Sequence, residues 1–183
     1  AMVVADLPFG SYEASAELAL ATSVRFFKES CVMAVKLEGA HIETVKKLVA
    51  SGIPVMGHLG LTPQSMHQLG GYRVQGRTDG DAILEAVLAL EKAGAFAIVL
   101  ELVPADLASR ISKALTVPTI GIGAGSDCDA QVLVWTDMAG LTANPPKLAK
   151  AYRNLRRELL DAAQEFAVEV RNGKFPTERE TFH

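Results

Sequence analysis

Six short apolar runs alternate with longer amphipathic stretches along this chain, and this rhythm sets its fold class. Each run is apolar or β-branched and ends near glycine, proline or a polar residue, which is typical of buried strands. The runs are MVVAD (2–6), MAVKLEG (33–39), IPVMGHLG (53–60), AIVLEL (97–102), PTIGIGAG (118–125) and QVLVW (131–135). Alternation of this kind predicts an α/β fold with a parallel sheet and right-handed crossovers.

Helices are predicted between the runs, where apolar residues recur with helical spacing. They cover 41–51, 79–93, 104–115 and 153–171. Three of them are followed by a glycine that suits a C-terminal cap, namely Gly52, Gly94 and Gly173.

Six strands are two fewer than a (β/α)₈ barrel contains, and such a barrel takes ~250 residues. The chain has 183 residues and opens directly on a strand. The pattern therefore predicts either an open α/β sheet or a barrel without its first two βα units. Its length suits a single domain over 1–183.

Charge and cysteine content narrow the class of partner. The net charge is −3 with no basic run, which argues against nucleic acid and anionic membranes. No apolar run reaches the ~20 residues of a membrane span, and the start does not have the pattern of a signal peptide. Two isolated cysteines, Cys31 and Cys128, suit a reducing compartment. We predict a cytoplasmic protein that acts on small molecules.

Ionisable residues stand at the carboxyl ends of four strands, where α/β sheets and barrels place their chemistry. They are Asp6, Lys36, Glu38, His58 and Glu101. Lys36 and Glu38 are two residues apart and share a face of their strand. If these faces point inward, the five side chains form one cluster.

Each of the five also has a purely structural explanation. Asp6 suits a turn before a proline, Lys36 with Glu38 suits an ion pair, and a lone histidine on an apolar strand is commonly a hydrogen-bonded core residue. Glu101 could reach solvent at its strand end. Their occurrence together at one end of one sheet favours a functional site.

Asp6 and Glu38 are hard oxygen donors, and two converging carboxylates with no zinc-type spacing predict Mg²⁺. Glu101 has apolar neighbours in sequence, and burial makes a carboxylate more basic. This predicts that Glu101 acts as a general base.

Two glycine-containing segments follow strand ends. The connection 59–78 exceeds the ~2–6 residues of an ordinary βα loop, so we predict that it is functional, with Gln64, Ser65 and Gln75 as polar candidates. IGIGAG (120–125) is a weak motif, and its glycines suit either room for a ligand or tight packing.

Several segments resemble the ketopantoate hydroxymethyltransferase family of pantothenate biosynthesis. In family order they are ADLPFGSY, AVKLEG, GIPVMGHLGLTPQS, LGGYRVQGR, ALEKAGAFAIVLELVP, PTIGIGAG, QVLVWTDMAG and FPTERETFH. They span nearly the whole chain, and GHLGLTPQS followed by GGYRVQGR is highly specific.

The resemblance implies a (β/α)₈ TIM barrel of the phosphoenolpyruvate/pyruvate superfamily that binds Mg²⁺ and forms homo-oligomers, decameric in bacteria. It implies hydroxymethyl transfer from 5,10-methylenetetrahydrofolate to 2-oxoisovalerate (3-methyl-2-oxobutanoate), giving ketopantoate. On the matching positions, Asp6 is similar to a metal ligand that also contacts substrate, and Glu38 to the second acidic group of the metal site. Lys36 and His58 resemble substrate-binding residues, and Glu101 resembles the proton acceptor. The resemblance assigns no residue to the folate.

The sequence also departs from the family pattern. The family's N-terminal segment is absent, with its Gly-Asp-Ser motif, so the first strand here corresponds to the family's third. Ala40 and Ala130 replace common family glycines. Two alternatives stay open: an inactive or complementation-dependent fragment, and a related Mg²⁺-dependent 2-oxo acid lyase or mutase. The absence of a cysteine directly after a strand end argues against the lyases.

Overall fold

A computed structural model describes residues 1–183 and contains one six-stranded parallel sheet. The strands are β1 (Val4–Asp6), β2 (Ala34–Glu38), β3 (Val55–Gly60), β4 (Ala97–Glu101), β5 (Thr119–Ile122) and β6 (Ala130–Gln131). They pair in sequence order, each with the next, and every pair is parallel. Sequential parallel pairing with intervening helices is the arrangement of successive units in a barrel. The α/β class is therefore confirmed, with six of the eight strands of a (β/α)₈ barrel.

The chain contains six α-helices, and four of them were predicted. They are α1 (Ala16–Glu29), α2 (Ile42–Ala50), α3 (Gly80–Lys92), α4 (Ala105–Ala114), α5 (Trp135–Met138) and α6 (Leu155–Arg171). The predicted ends agree within two residues. Gly94, the predicted stop after α3, has a φ of +101°, a backbone conformation that favours glycine.

Helix α1 was not predicted from the sequence. Its start is marked by Ser15, whose side chain accepts a hydrogen bond from the backbone N–H of Leu18. Its fully buried positions are the small residues Ala19 and Ser23 rather than large apolar ones. The Ser15 cap and the requirement for a helix between parallel strands were the signals available.

The last strand is shorter than predicted. The prediction was 131–135, but β6 covers only Ala130–Gln131, and Trp135 begins the short helix α5. Val132 still donates its N–H to the carbonyl oxygen of Gly121 at 3.0 Å. Val132 and Val134 are about half-exposed. Packing of their side chains therefore does not stabilise a longer strand beyond Gln131.

Strand β2 shows how the sheet positions polar groups. Val35 and Leu37 are fully buried within the apolar core, which helices α1 to α4 also line. Lys36 and Glu38 alternate with them and therefore point to the opposite face of the sheet.

The chain divides into two compact units, Ala1–Val132 and Leu133–His183. The second unit holds α5, α6 and a 3₁₀ helix at Glu178–Glu180. In α6 the Asn154 side chain caps the N-terminus, and the rings of Phe166 and Phe175 meet edge to face at 5.3 Å. The single domain over 1–183 stays a prediction. No helix is long and apolar enough to cross a membrane.

Candidate active site

The five predicted residues lie together at the carboxyl ends of β1 to β4. The strand register explains why, because it sets Asp6 opposite Lys36, Glu38 opposite His58, and Gly60 opposite Glu101. Side chains on one face of neighbouring strands at such positions come within contact distance. We call Asp6, Lys36, Glu38, His58 and Glu101 the strand-end cluster.

Lys36 joins the first and third strands of the cluster. Its Nζ lies 2.7 Å from Oδ1 of the half-exposed Asp6 and 3.2 Å from Nδ1 of His58. An ammonium group has no lone pair and can only donate. Nδ1 of His58 therefore accepts, and the proton of the neutral ring lies on Nε2.

Nε2 of His58 lies beside Glu101 without a hydrogen bond to it. Nε2 lies 3.2 Å from Oε2 of Glu101, and both side chains are largely buried. The direction of the N–H bond is not that of a hydrogen bond, and Nε2 has no hydrogen-bond partner. A buried polar atom without a partner is rare and costly. Nε2 of His58 is therefore the polar atom of the cluster that lacks a hydrogen bond within the chain.

Glu38 is the most enclosed acid of the cluster. Its Oε2 accepts a hydrogen bond from the backbone N–H of Gln64 at 2.9 Å, and its Oε1 lies 3.8 Å from Nδ1 of His58. Burial raises the pKa of the Glu38 carboxyl above its ordinary value, and the Gln64 hydrogen bond opposes this only in part.

We expect Glu38→Gln to raise the free energy of unfolding in Mg²⁺-free buffer at neutral pH. Because the pKa of Glu38 is raised by folding, the folded chain keeps the proton to higher pH than the unfolded chain does. Wild-type stability therefore falls as pH rises above the ordinary value of 4.5. Glutamine keeps an oxygen for the Gln64 N–H but carries no charge, so we expect a gain of about 1 kcal/mol.

Urea unfolding of both proteins between acidic and neutral pH measures this difference. The gap between wild type and variant opens as pH rises. Equal stabilities across the range would contradict the cost assigned to the buried carboxylate. Glu85→Gln, which neutralises an exposed carboxylate in α3, serves as the control.

Asp6 and Glu38 fit the donor set of a magnesium ion. Each keeps one oxygen that accepts no hydrogen bond, namely Oδ2 of Asp6 and Oε1 of Glu38. The chain contains no group of three or more His, Cys, Asp or Glu side chains arranged to hold a metal. Mg²⁺ commonly uses one or two carboxylates and completes its shell with waters and substrate oxygens.

The backbone around Glu101 is held by the long connection 59–78. Leu61 donates its N–H to the carbonyl oxygen of Glu101 at 2.7 Å, and Gln75 donates its N–H to that of Leu102 at 2.9 Å. Leu102 has a φ of +47°, an uncommon conformation for a residue with a side chain. Both ends of the connection therefore bind the turn that follows the candidate base.

Gly60 packs directly against this turn. Its φ is +93°, and a Cβ atom built on it would lie 2.1 Å from the carbonyl oxygen of Glu101. Only glycine fits such a separation without a shift of the backbone.

Of the polar candidates in the connection, only Gln64 contacts the cluster. The Gln75 side chain bonds the carbonyl oxygen of Arg73, and Ser65 lies in the 3₁₀ helix Pro63–Ser65. Tyr12 was missed as a site residue, yet its hydroxyl accepts a hydrogen bond from the N–H of Glu38 at 3.3 Å. Its presence in ADLPFGSY was the only signal in the sequence.

Two of the three glycines of IGIGAG, Gly121 and Gly125, are explained by packing. A Cβ atom on Gly121 would lie 3.0 Å from Sγ of Cys128, and one on Gly125 would lie 2.6 Å from Cβ of Ala105. These contacts support the packing interpretation of the motif.

A cavity of about 520 Å³ lies at the N-terminal ends of α3 and α4. Its lining is of mixed charge and includes Arg77, Asp79 and Asp106, and the pair of Arg110 with Asp81 at 2.7 Å. No residue of the strand-end cluster lines it, so the cavity is separate from the candidate site.

Solved structures support the fold. The structure of a phosphonopyruvate hydrolase matches all of this chain with a TM-score of 0.51 and covers 65% of that protein. The sequence identity is 16%, so the likeness concerns the fold alone.

Sequence relatives are much closer. The chain is 62% identical to the 3-methyl-2-oxobutanoate hydroxymethyltransferase of Acidothermus cellulolyticus, with 96% of this chain and 66% of that protein aligned. It is 61% identical to that of Frankia alni, covering 97% and 60%, and 57% identical to that of Thermobifida fusca, covering 100% and 66%. The chain thus spans 60–66% of the length of these relatives.

The family profile described as ketopantoate hydroxymethyltransferase matches residues 1–178, almost the full chain. Together with identities of 57–62% to the three relatives above, this match establishes the relationship. The chain belongs to the ketopantoate hydroxymethyltransferase family.

Proposed function

We propose that the strand-end cluster binds 2-oxoisovalerate and removes the proton from its carbon 3. Carbon 3 then forms a bond to the methylene carbon of 5,10-methylenetetrahydrofolate. Water supplies the hydroxyl group in the overall reaction, and the products are ketopantoate and tetrahydrofolate. The observation that carries the proposal is the contact of a largely buried carboxylate, Glu101, with a buried histidine whose Nε2–H has no hydrogen-bond partner. It is supported by the relatives' name, which specifies 3-methyl-2-oxobutanoate as the acceptor.

Glu101 is the group suited to accept the proton. Its side chain is only 13% exposed, which limits competition by water and strengthens electrostatic interactions. The carbonyl oxygens of Glu101 and Leu102 are held by hydrogen bonds from the connection 59–78, which limits the displacement of the carboxylate from its substrate.

Lys36 and His58 are suited to the negative charge that develops on the substrate. Lys36 keeps His58 in the tautomer with a proton on Nε2, and that proton can be donated to a substrate oxygen. The Lys36 ammonium adds a positive charge at the same strand ends. Asp6, half-exposed and paired with Lys36, orients that ammonium.

Asp6 and Glu38 would hold Mg²⁺ through the two carboxylate oxygens that accept no hydrogen bond. A bound Mg²⁺ supplies Lewis-acid polarisation of the oxygens of a 2-oxo acid.

The experiment follows ketopantoate formation from 2-oxoisovalerate and 5,10-methylenetetrahydrofolate at increasing Mg²⁺ concentration. We expect Asp6→Asn to require at least about 10-fold more Mg²⁺, because it loses a charged metal ligand. Asp106→Asn, an exposed acid in α4, should behave like wild type. The same Mg²⁺ dependence for Asp6→Asn and wild type would contradict the assignment of Asp6.

Because the relatives are longer, a second candidate is a chain whose turnover depends on a further segment. The heat of 2-oxoisovalerate binding in the same Mg²⁺ series distinguishes the two. Binding without turnover supports dependence on additional residues. Sedimentation analysis of the same samples tests the predicted homo-oligomer.

A further inference from the structure

A closed ring of hydrogen bonds joins Glu38, Tyr12 and Gln64. The Glu38 N–H donates to the hydroxyl of Tyr12 at 3.3 Å, and that hydroxyl donates to Oε1 of Gln64 at 2.8 Å. The backbone N–H of Gln64 then donates to Oε2 of Glu38 at 2.9 Å. The ring returns to the residue at which it begins, so both the backbone and the carboxylate of Glu38 are held.

Gln64 is fixed at both ends of its amide. Its Nε2 donates to the carbonyl oxygen of Leu7, just after β1, at 3.0 Å, while its Oε1 accepts from Tyr12. The side chain thus connects the end of β1 with the connection 59–78. With both groups bonded, the backbone N–H of Gln64 has a defined direction toward Glu38.

Tyr12 is itself enclosed by its neighbours. It is 2% exposed, and its ring meets that of His41 edge to face at 5.3 Å. The Tyr12 oxygen accepts from the Glu38 N–H, so the single hydroxyl proton is available for donation to Gln64.

We infer that Gln64 and Tyr12 are positioning residues, which hold Oε2 of Glu38 so that Oε1 stays available to Mg²⁺. The inference rests on the proposed function. A carboxylate that is held through one oxygen does not rotate freely to exchange its two oxygens. The ring of hydrogen bonds therefore determines which oxygen is available to bind a metal. Both residues act through Glu38, because the Tyr12 hydroxyl and the Gln64 amide are bonded within the chain.

Titration calorimetry with Mg²⁺ alone on the full chain tests this inference. We expect Tyr12→Phe and Gln64→Leu each to weaken Mg²⁺ binding about 10-fold. The double variant should bind no more weakly than the weaker single variant, because both changes open the same ring. Tyr72→Phe and Gln68→Leu, which alter exposed residues of the same connection, should bind as wild type does.

Unfolding midpoints in Mg²⁺-free buffer separate positioning from stability alone. A purely structural role lowers the midpoint and leaves the Mg²⁺ affinity of the folded chain unchanged, which overturns the inference. If Gln64→Leu does not fold, Gln64→Asn replaces it, since its shorter amide cannot make both bonds, and the same loss of affinity is expected.

Two further variants distinguish this inference from the proposed function. If Asp6→Asn and Glu38→Gln lose Mg²⁺ binding while Tyr12→Phe and Gln64→Leu keep it, only the inference fails. If Asp6→Asn and Glu38→Gln bind as wild type does, or wild type binds no Mg²⁺, the proposed metal site fails and the inference fails with it.

Discussion

Exchange of the proton on carbon 3 of 2-oxoisovalerate should slow by about 10²–10⁴-fold in Glu101→Gln, the range typical of losing a general base. Glutamine has nearly the same size and keeps a side chain beside Nε2 of His58, so binding of the oxo acid should persist. Exchange is followed by nuclear magnetic resonance in heavy water with Mg²⁺ present, without folate. This isolates proton removal from hydroxymethyl transfer.

Glu101→Asp and Glu85→Gln complete the test. Aspartate keeps a carboxylate but withdraws it by one methylene, so exchange should be intermediate. Glu85 is exposed on α3, and its substitution should leave exchange unchanged. Undiminished exchange in Glu101→Gln would contradict the assignment of Glu101 as the base. His58, its buried neighbour, would then be the next candidate.

Gly60→Ala should lower the free energy of unfolding by about 4 kcal/mol, a value reserved for severe backbone or core disruption. Two costs combine at this position. A φ of +93° is strained for alanine, and the new Cβ would lie 2.1 Å from the carbonyl oxygen of Glu101 and 2.7 Å from Cγ1 of Val103. Because the nearest atom belongs to the backbone, the steric overlap can be removed only if the backbone at Glu101, the candidate base, moves.

Gly71→Ala is the matched control for this substitution. Gly71 lies in the same connection at a φ of +97°, but nothing lies within 4 Å of a Cβ atom there. It should lose only the conformational cost, about 1–2 kcal/mol. Urea unfolding of the two variants therefore separates steric overlap from strain, and equal losses would contradict the overlap with Glu101.

The sequence was sufficient to predict the cluster because parallel strands bring their carboxyl ends to one edge. Alternation along β2 placed Lys36 and Glu38 on one face, and the register then set Glu38 opposite His58. Four helices were predicted because large apolar residues recur along them with helical spacing. Helix α1, whose buried positions are Ala19 and Ser23, gave a weaker pattern and was missed.

The ring around Glu38 could not be predicted in this way. Tyr12 and Gln64 are 52 residues apart, and neither lies on a strand whose register would bring them together. Their contact depends on how two irregular segments pass each other. Hydrophobic periodicity carries no information about the paths of such segments, so the hydrogen-bond partners of Glu38 emerge only from the three-dimensional structure.

The turn after Glu101 has a consequence for how this family can vary. The connection 59–78 meets that turn through main-chain N–H groups of Leu61 and Gln75, which any residue other than proline supplies. Side chains at positions 61 and 75 can therefore be exchanged during evolution without loss of these hydrogen bonds to the turn after Glu101. Proline at position 61 or 75 is the exception, and a survey of natural variation should find it excluded there.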